Sequence, residues 1–307
     1  MSAHDPADHT VDLDARRRGV RLSILMPAYN EDRTIRAAVQ AVLRQEYPCP
    51  VELVVVDDGS EIPVARFLDR IGDPRLTLYR HEVNLGKGAA LRQAAALATG
   101  THMVPFDADL EYDPADLVAM LAPVLAGRCE IVYGARLSGA NTRYQSYRHG
   151  LANKLLTLAA NLTFDAYISD LHTCLKLMPL DMFRSFSLKE SGFGLDTEIT
   201  ARILRTGNRP FEVPASYHSR SKEQGKKIAW RDGVECIGIL VRVRRASLRT
   251  AVSGQTAARR DLQGPVPERT AERDLDEPAM SERPRRYLRR VGQESASGSQ
   301  SERAGVR

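Results

Sequence analysis

Thr101-His102-Met103-Val104-Pro105-Phe106, followed at once by Asp107-Ala108-Asp109, is the stretch on which the reading of this chain turns. A short apolar run closed by acid reads as a buried strand that delivers two carboxylates at its carboxyl end. Alternate side chains of an extended chain share a face, so Asp107 and Asp109 can converge on one divalent cation while Ala108 stays small underneath. Hard carboxylate oxygens select Mg2+ or Mn2+. Taken alone, Asp-x-Asp also fits an acidic strand-to-helix turn in which Asp113-Pro114 opens the next helix. The segments upstream decide between the two.

Leu22-Ser23-Ile24-Leu25-Met26 is an apolar run ended by Pro27, and Glu31 to Gln45 carries Ile35, Ala38, Val39, Val42 and Leu43 at helical spacing. Val51 to Val56 is β-branched and nearly continuous, as expected of a parallel strand covered on both faces, and it stops at Asp57-Asp58-Gly59-Ser60. A helix around Val64 to Ile71 and a strand at Leu76-Thr77-Leu78-Tyr79 follow. Asn84-Leu85-Gly86-Lys87-Gly88 then opens an alanine-rich helix running to Ala98. This alternation predicts one α/β domain, with a mostly parallel central sheet flanked by helices. Ligands of such sheets bind outside the carboxyl ends of the strands, so Pro27–Glu31, Asp57–Ser60 and Asp107–Asp109 are expected to line one crevice.

The chemistry of that crevice is narrowed by what it lacks. The first strand-to-helix turn, Pro27-Ala28-Tyr29-Asn30-Glu31, has no Gly-x-Gly-x-x-Gly, which argues against a dinucleotide fold. Asn84 to Gly88 lacks the Gly-x-x-x-x-Gly-Lys-Ser/Thr spacing of a phosphate loop. Acid at strand ends calls instead for a metal between protein and phosphate. Asp57 can accept a hydrogen bond from a base N–H while Val55, two residues earlier, packs on the ring. A plain turn with Ser60 as a helix cap fits the same residues.

Of the 307 residues, 43% are hydrophobic, enough for a full core. The expected domain covers 21–249. Residues 1–20 and 250–307 are polar, without apolar periodicity, and read as flexible tails. The formal charge of +5 owes much to Arg242, Arg244, Arg245 and Arg249, and to Arg283, Arg285, Arg286, Arg289 and Arg290 in the tail. Interspersed Asp and Glu argue against a nucleic-acid arm, whereas an anionic membrane surface is compatible with them. Cys49, Cys129, Cys174 and Cys236 show no Cys-x-x-Cys spacing and read as reduced thiols. With no signal peptide ahead of the first strand, and no apolar run of the roughly 18 residues that a span needs, a cytoplasmic protein is expected. Leu151 to Leu162, interrupted by Asn153 and Lys154, is too short to span, and fits either a core helix or an amphipathic helix on a membrane face near Arg143, Arg148 and Lys154.

Pro-Ala-Tyr-Asn-Glu at 27–31, Val-Asp-Asp-Gly-Ser at 56–60, Asn-Leu-Gly-Lys-Gly at 84–88 and Asp-Ala-Asp at 107–109, in this order, resemble a family 2 glycosyltransferase of the GT-A fold, and within it the dolichol-phosphate mannose synthase group. The likeness continues through Gly134-Ala135-Arg136, Ser169-Asp170-Leu171, Gly192-Phe193-Gly194 with Glu198, and Glu212-Val213-Pro214. It implies that Pro27, Tyr29 and Glu31 line the nucleotide pocket, that Asp57 reads the base, and that Asp107, Ala108 and Asp109 lie along the donor diphosphate, both aspartates addressing Mg2+ or Mn2+. Glu111 stands where the family often has a Gln metal ligand, and adds a negative charge there. Arg136, Arg220 and Lys226 match basic positions that contact phosphates of donor or acceptor. Arg220 to Lys227 also reads as a polar, glycine-containing segment able to close over the donor.

On the acceptor side, Asp170 matches an acidic position that orients the acceptor or takes its proton, and Glu198 is either a second such group or a structural carboxylate at a helix start. His172 reads as a packing or solvent-facing histidine. The implied activity is metal-dependent, inverting transfer of a hexose, most simply mannose from GDP-mannose, to a polyprenyl phosphate. A soluble glycan or small-molecule acceptor is the main rival, and a non-catalytic nucleotide-sugar-binding protein a further one. A nucleotidyltransferase would need a glycine-rich, basic first loop that Pro27 to Glu31 does not supply.

Overall fold

Strand β1 (Leu22–Ala28) lies inside the sheet, hydrogen-bonded in parallel to β2 (Val51–Asp57) on one side and to β4 (His102–Pro105) on the other. The computed structural model describes residues 19–136, 142–143, 147–192, 194–218 and 230–246. Most of the expected tails, Arg220, Lys226 and the rest of the segment 219–229 lie outside the described residues. Strand β3 (Leu76–Arg80) extends the parallel set beyond β2. Beyond β4 come β7 (Lys176–Pro179), β5 (Val132–Ala135) and β8 (Phe211–Pro214), giving a seven-stranded order β3-β2-β1-β4-β7-β5-β8. β7 runs antiparallel to both neighbours, and β5 pairs in parallel with β8. A separate parallel pair joins β6 (Thr142–Arg143) to β9 (Tyr217–His218).

Strand periodicity divides the core into two layers. Leu22, Ile24 and Met26 of β1, with Leu53 and Val55 of β2, pack beneath α1 (Ile35–Arg44), α2 (Ala65–Leu68) and α4 (Ala115–Leu125). Leu25, Val54 and Val56 face the other way, against α3 (Lys87–Leu97), α6 (Leu180–Ser185) and α7 (Leu195–Arg205). This is why the two inner strands read as continuous apolar runs: each face meets a helix layer. A third cluster joins Ala160 and Phe164 of α5 (Tyr147–Phe164), Ala201 and Leu204 of α7, and Ile239, Leu240 and Val243 of α8 (Trp230–Arg245). The result is the expected α/β domain with a mostly parallel sheet flanked by helices.

Two element boundaries differ from expectation for local reasons. α1 starts at Ile35 rather than Glu31, because Asn30 adopts a left-handed φ of 54° and the Thr34 hydroxyl donates to Glu31 Oε2 at 2.8 Å, making a turn of the intervening residues. The helix expected over Val64 to Ile71 shrinks to one turn, since Gly72 and Pro74 follow closely and cannot extend it.

Candidate active site

The carboxyl ends of β1, β2 and β4 lie side by side, with Ala28 opposite Asp57 and Leu25 opposite Pro105. Pro27, Asp57 and Asp107 therefore reach one rim of the sheet, as the motif spacing predicted. Tyr29 is half-exposed above it. Ala108 is buried, and its small side chain lets the strand end pack down while Asp107 and Asp109 stay partly accessible. Leu110 takes a left-handed φ of 62°, an uncommon conformation for an apolar residue, at the point where the chain turns out of the Asp-Ala-Asp stretch.

Asp57 and Asp58 are almost wholly buried and are answered mainly by backbone N–H groups. Asp57 Oδ1 accepts from Ser60 N at 2.9 Å, and its Oδ2 accepts from Val64 N at 3.0 Å and from the Arg80 guanidinium. A base that reads Asp57 must therefore take the place of Arg80. Asp58 accepts from Leu85 N and Gly86 N and meets His81 Nδ1 at 2.7 Å, which fixes the start of α3 against β2. Val55 does not line the crevice: it is fully enclosed in the core layer, so it supports Asp57 from below rather than packing on a ring.

The fixed start of α3 has a consequence that the sequence did not announce. Gly86, at φ +88°, and Gly88 bring the helix start so close to Glu190 and Ser191 that a Cβ on either would collide with them. Lys87 is thereby aimed across the rim, its Nζ 2.7 and 2.9 Å from the two oxygens of Asp107. Burial alone would lower the Lys87 pKa, but the Asp107 charge raises it well above the ordinary lysine value and keeps it cationic. The glycines of Asn84 to Gly88 serve close approach to the 190–191 backbone, and the sequence signal for Lys87 was this motif, which fails as a phosphate loop but belongs to the family series.

Glu111 Oε2 accepts the Tyr217 hydroxyl at 2.8 Å, and Asp109 Oδ1 accepts Glu111 N at 3.0 Å. The Tyr217 ring also lies 5.0 Å from the Arg136 guanidinium and packs on Tyr112. Among the described residues no three His, Cys, Asp or Glu side chains converge in a metal-sized group; Lys87 holds Asp107 and Tyr217 holds Glu111. Two carboxylates that attract a cation still suit Mg2+ or Mn2+, which take remaining ligands from phosphate oxygens and water.

Asp170 is fully buried and saturated. Arg136 Nε and Nη2 fork its two oxygens at 2.7 and 2.9 Å, Arg136 N adds 3.2 Å, Asn153 Nδ2 2.8 Å and His172 N 3.2 Å. Burial raises its pKa, but the Arg136 charge and these donors outweigh that and bring it down to about 2. Asp170 thus anchors Arg136 at the end of β5. Glu198 is equally buried, accepting from Lys189 N, Glu190 N and Arg202, which makes it the structural carboxylate of the two readings. His172 packs inside, its ring nitrogens against Asn153 Oδ1 at 3.0 Å and Thr197 Oγ1 at 3.1 Å, and burial lowers its pKa to about 4. All four cysteines are free, and burial raises the thiols of Cys174 and Cys236.

Known proteins resemble this chain in sequence and in fold. The chain is 27% identical over 215 residues to glycosyltransferase AglD of Haloferax volcanii, covering 67% of this chain and 34% of that protein. It is 25% identical over 210 residues to the low-salt glycan biosynthesis hexosyltransferase Agl6 of the same organism, covering 66% of this chain and 49% of that one. It therefore spans between a third and a half of these curated relatives. Among solved structures it superposes on glucosyl-3-phosphoglycerate synthase from Mycobacterium tuberculosis in complex with uridine diphosphate, with a TM-score of 0.60 at 17% identity over 80% of this chain and 88% of that one. The same enzyme in complex with Mn2+, uridine diphosphate and glucosyl-3-phosphoglycerate gives a TM-score of 0.59. The model for Glycosyl transferase family 2 matches residues 23–186, more than half of the chain and including the carboxyl ends of β1, β2, β4 and β5, and this protein belongs to that family.

Proposed function

We propose that this glycosyltransferase moves a hexose from a nucleotide sugar to a polyprenyl phosphate with inversion, mannose from GDP-mannose being the simplest case. The observation that carries the lipid-phosphate reading is the state of Asp170 and Glu198. The two carboxylates expected from the sequence to activate an acceptor hydroxyl are buried and saturated with donors, and Asp170 is held ionised down to about pH 2. An acceptor that is already an oxyanion needs no such base.

In this reading the nucleoside sits over Tyr29, Glu31 and Pro27, with Asp57 facing the base, and the diphosphate lies along Asp107 to Asp109. Lys87 stands at that diphosphate as a fixed cation, and Arg136, oriented by Asp170 and Tyr217, faces the phosphate of the acceptor. Asp107 and Asp109, with Glu111 nearby, are the residues that would hold Mg2+ or Mn2+, which supplies charge neutralisation of the leaving diphosphate. As an acceptor oxygen forms its bond to the anomeric carbon and the carbon–oxygen bond to the diphosphate breaks, negative charge accumulates where Lys87 points. Arg220 and Lys226, by resemblance, add charge from the segment that follows β9. A site on the cytoplasmic face of a membrane suits such an acceptor, and among the described residues no helix is long and apolar enough to cross one.

A second reading has a specific observation behind it. The synthase that shares this fold was crystallised with Mn2+, uridine-diphosphate-glucose and phosphoglyceric acid, which supports a uridine-based donor and a small phosphorylated acceptor as the alternative. Release of nucleoside diphosphate from a panel of GDP- and UDP-sugars, with Mg2+ or Mn2+ and with or without a short-chain polyprenyl phosphate, separates the two. Turnover of one donor that rises sharply with the lipid supports the proposal. Turnover indifferent to the lipid sinks it and moves the search to soluble acceptors, and no turnover with any donor favours a binding role.

A further inference from the structure

α5 is apolar on two sides, although only one side meets the core. Thr157, Ala160 and Phe164 are buried against α7 and α8. On the opposite face Tyr147, Leu151, Leu155, Leu158 and Leu162 recur at helical spacing, and Leu155, Leu158 and Leu162 are 59, 53 and 76% exposed. α8, packed alongside, repeats the pattern: Cys236, Ile239, Leu240 and Val243 face inward while Val234, Ile237 and Val241 face outward. Isolated surface leucines need no explanation, but five outward apolar side chains along α5, with three more on its neighbour α8, are the kind of exposed apolar surface that marks an interaction site.

The charges around this face select its occupant. α5 contains no Asp or Glu in 18 residues, and exposed Lys154 sits beside the stripe between Leu151 and Leu155. α8 ends in exposed Arg244 and Arg245, with Arg242 paired to Glu190 at 2.7 Å; its acids Asp232 and Glu235 lie near its start, and one exposed acid, Asp165, follows α5. A second copy of this face would bring like charges together. Residues 247–307, rich in Arg, Ser, Gln and Glu, offer no apolar stripe to cover it. Leucines flanked by cations are what an anionic bilayer surface accepts, the apolar side chains entering the acyl boundary and the bases meeting phosphates.

We infer that the outward faces of α5 and α8 dock this domain on an anionic lipid surface. The docked helix is bonded to the site, since Asn153 of α5 donates to Asp170, the anchor of Arg136. Because Asn153 ties the docked helix to the Asp170–Arg136 pair, the inference deepens the lipid-acceptor reading and rests on it.

The test is sedimentation with vesicles of phosphatidylcholine alone and of phosphatidylcholine mixed with phosphatidylglycerol. The wild type is expected on the mixed vesicles, with binding weakened by salt. Leu158→Glu/Leu162→Glu is expected to partition about tenfold less or worse, with melting temperature and solution turnover of the donor unchanged. Lys154→Glu, which leaves the apolar stripe intact, is expected to lose the preference for phosphatidylglycerol. No vesicle binding, equal binding to phosphatidylcholine, undiminished binding by the double variant, or a wild-type dimer in light scattering that the double variant dissociates would each overturn the inference. Turnover on polyprenyl phosphate in detergent is measured in parallel. Vesicle binding without lipid-dependent turnover leaves the docking surface standing and sinks the acceptor reading, whereas lipid-dependent turnover without vesicle binding does the reverse.

Discussion

The two halves of the sheet satisfy their buried acids by different means. In the half built from β1 to β4, Asp57 and Asp58 accept chiefly from backbone N–H groups of the turns they terminate. In the half built from β5 to β8, Asp170 and the partly buried Asp196 are answered by cationic side chains, Arg136 and the fully buried Lys176, while Glu198 adds Arg202 to two backbone N–H donors. A carboxylate held by its own turn shapes the backbone around a ligand, whereas one held by a distant cation fixes where that cation points. In the proposed reading, the donor side is thus a preformed cradle and the acceptor side a set of aimed charges.

Asp170→Asn tests that contrast hardest. It removes the charge that answers Arg136, a guanidinium only 12% exposed, and should cost roughly 3–5 kcal/mol in denaturant unfolding, with turnover on a phosphate acceptor falling further than donor affinity. A loss no greater than that of a surface variant would break the distinction between the halves.

The histidine of the acceptor half gives the next largest effect. His172 is neutral when folded, its pKa falling by burial from 6.5 to about 4, so between those values the unfolded chain binds a proton that the folded chain refuses. Stability is then whole above pH 6.5 and declines as the pH falls toward 4, by about 3 kcal/mol in all. Melting temperatures across that range should fall for the wild type and stay flatter for His172→Gln, and parallel curves would show that His172 is not the group responsible.

Asp107 is the exception on the donor side, answered by Lys87 rather than by backbone alone. Lys87→Met should lower turnover by roughly 100-fold, about 2.7 kcal/mol, while leaving Asp107 freer to attract a divalent ion in the absence of donor. Mn2+ titration followed by donor titration separates these effects, and unchanged turnover would remove Lys87 from the diphosphate. Asp57→Asn keeps an acceptor for Ser60 or Val64 but loses the charge, and should cost about 1–3 kcal/mol, less than Asp170→Asn. At the bottom of the scale, Ser169 Oγ is buried with no hydrogen-bond partner in the described structure, so Ser169→Ala is expected to change stability by less than about 0.5 kcal/mol in either direction, read from the same unfolding curves.

How much of this was legible beforehand follows the same division. The strands of the donor half, their parallel order and the meeting of Pro27, Asp57 and Asp107 at one rim could be read from apolar runs closed by acid, because those features repeat locally along the chain. Val55 was misread because strand alternation says that it shares a side with Asp57 without saying whether that side is crevice or core. Lys87 was passed over because its partner Asp107 is twenty residues away and its glycines answer to Glu190 and Ser191, far beyond any local pattern.

By itself, then, the sequence determined the α/β alternation, the polar strand ends and the motif series of a family 2 glycosyltransferase, all of which rest on periodicity and short-range spacing. Only the tertiary structure decided that Asp170 is an anchor for Arg136, that Glu198 is structural, that Asp107 is shared with a lysine, and that the leucines of α5 face outward. Each of those depends on burial and on partners contributed by distant segments, and neither is a property of a residue until the chain has closed around it.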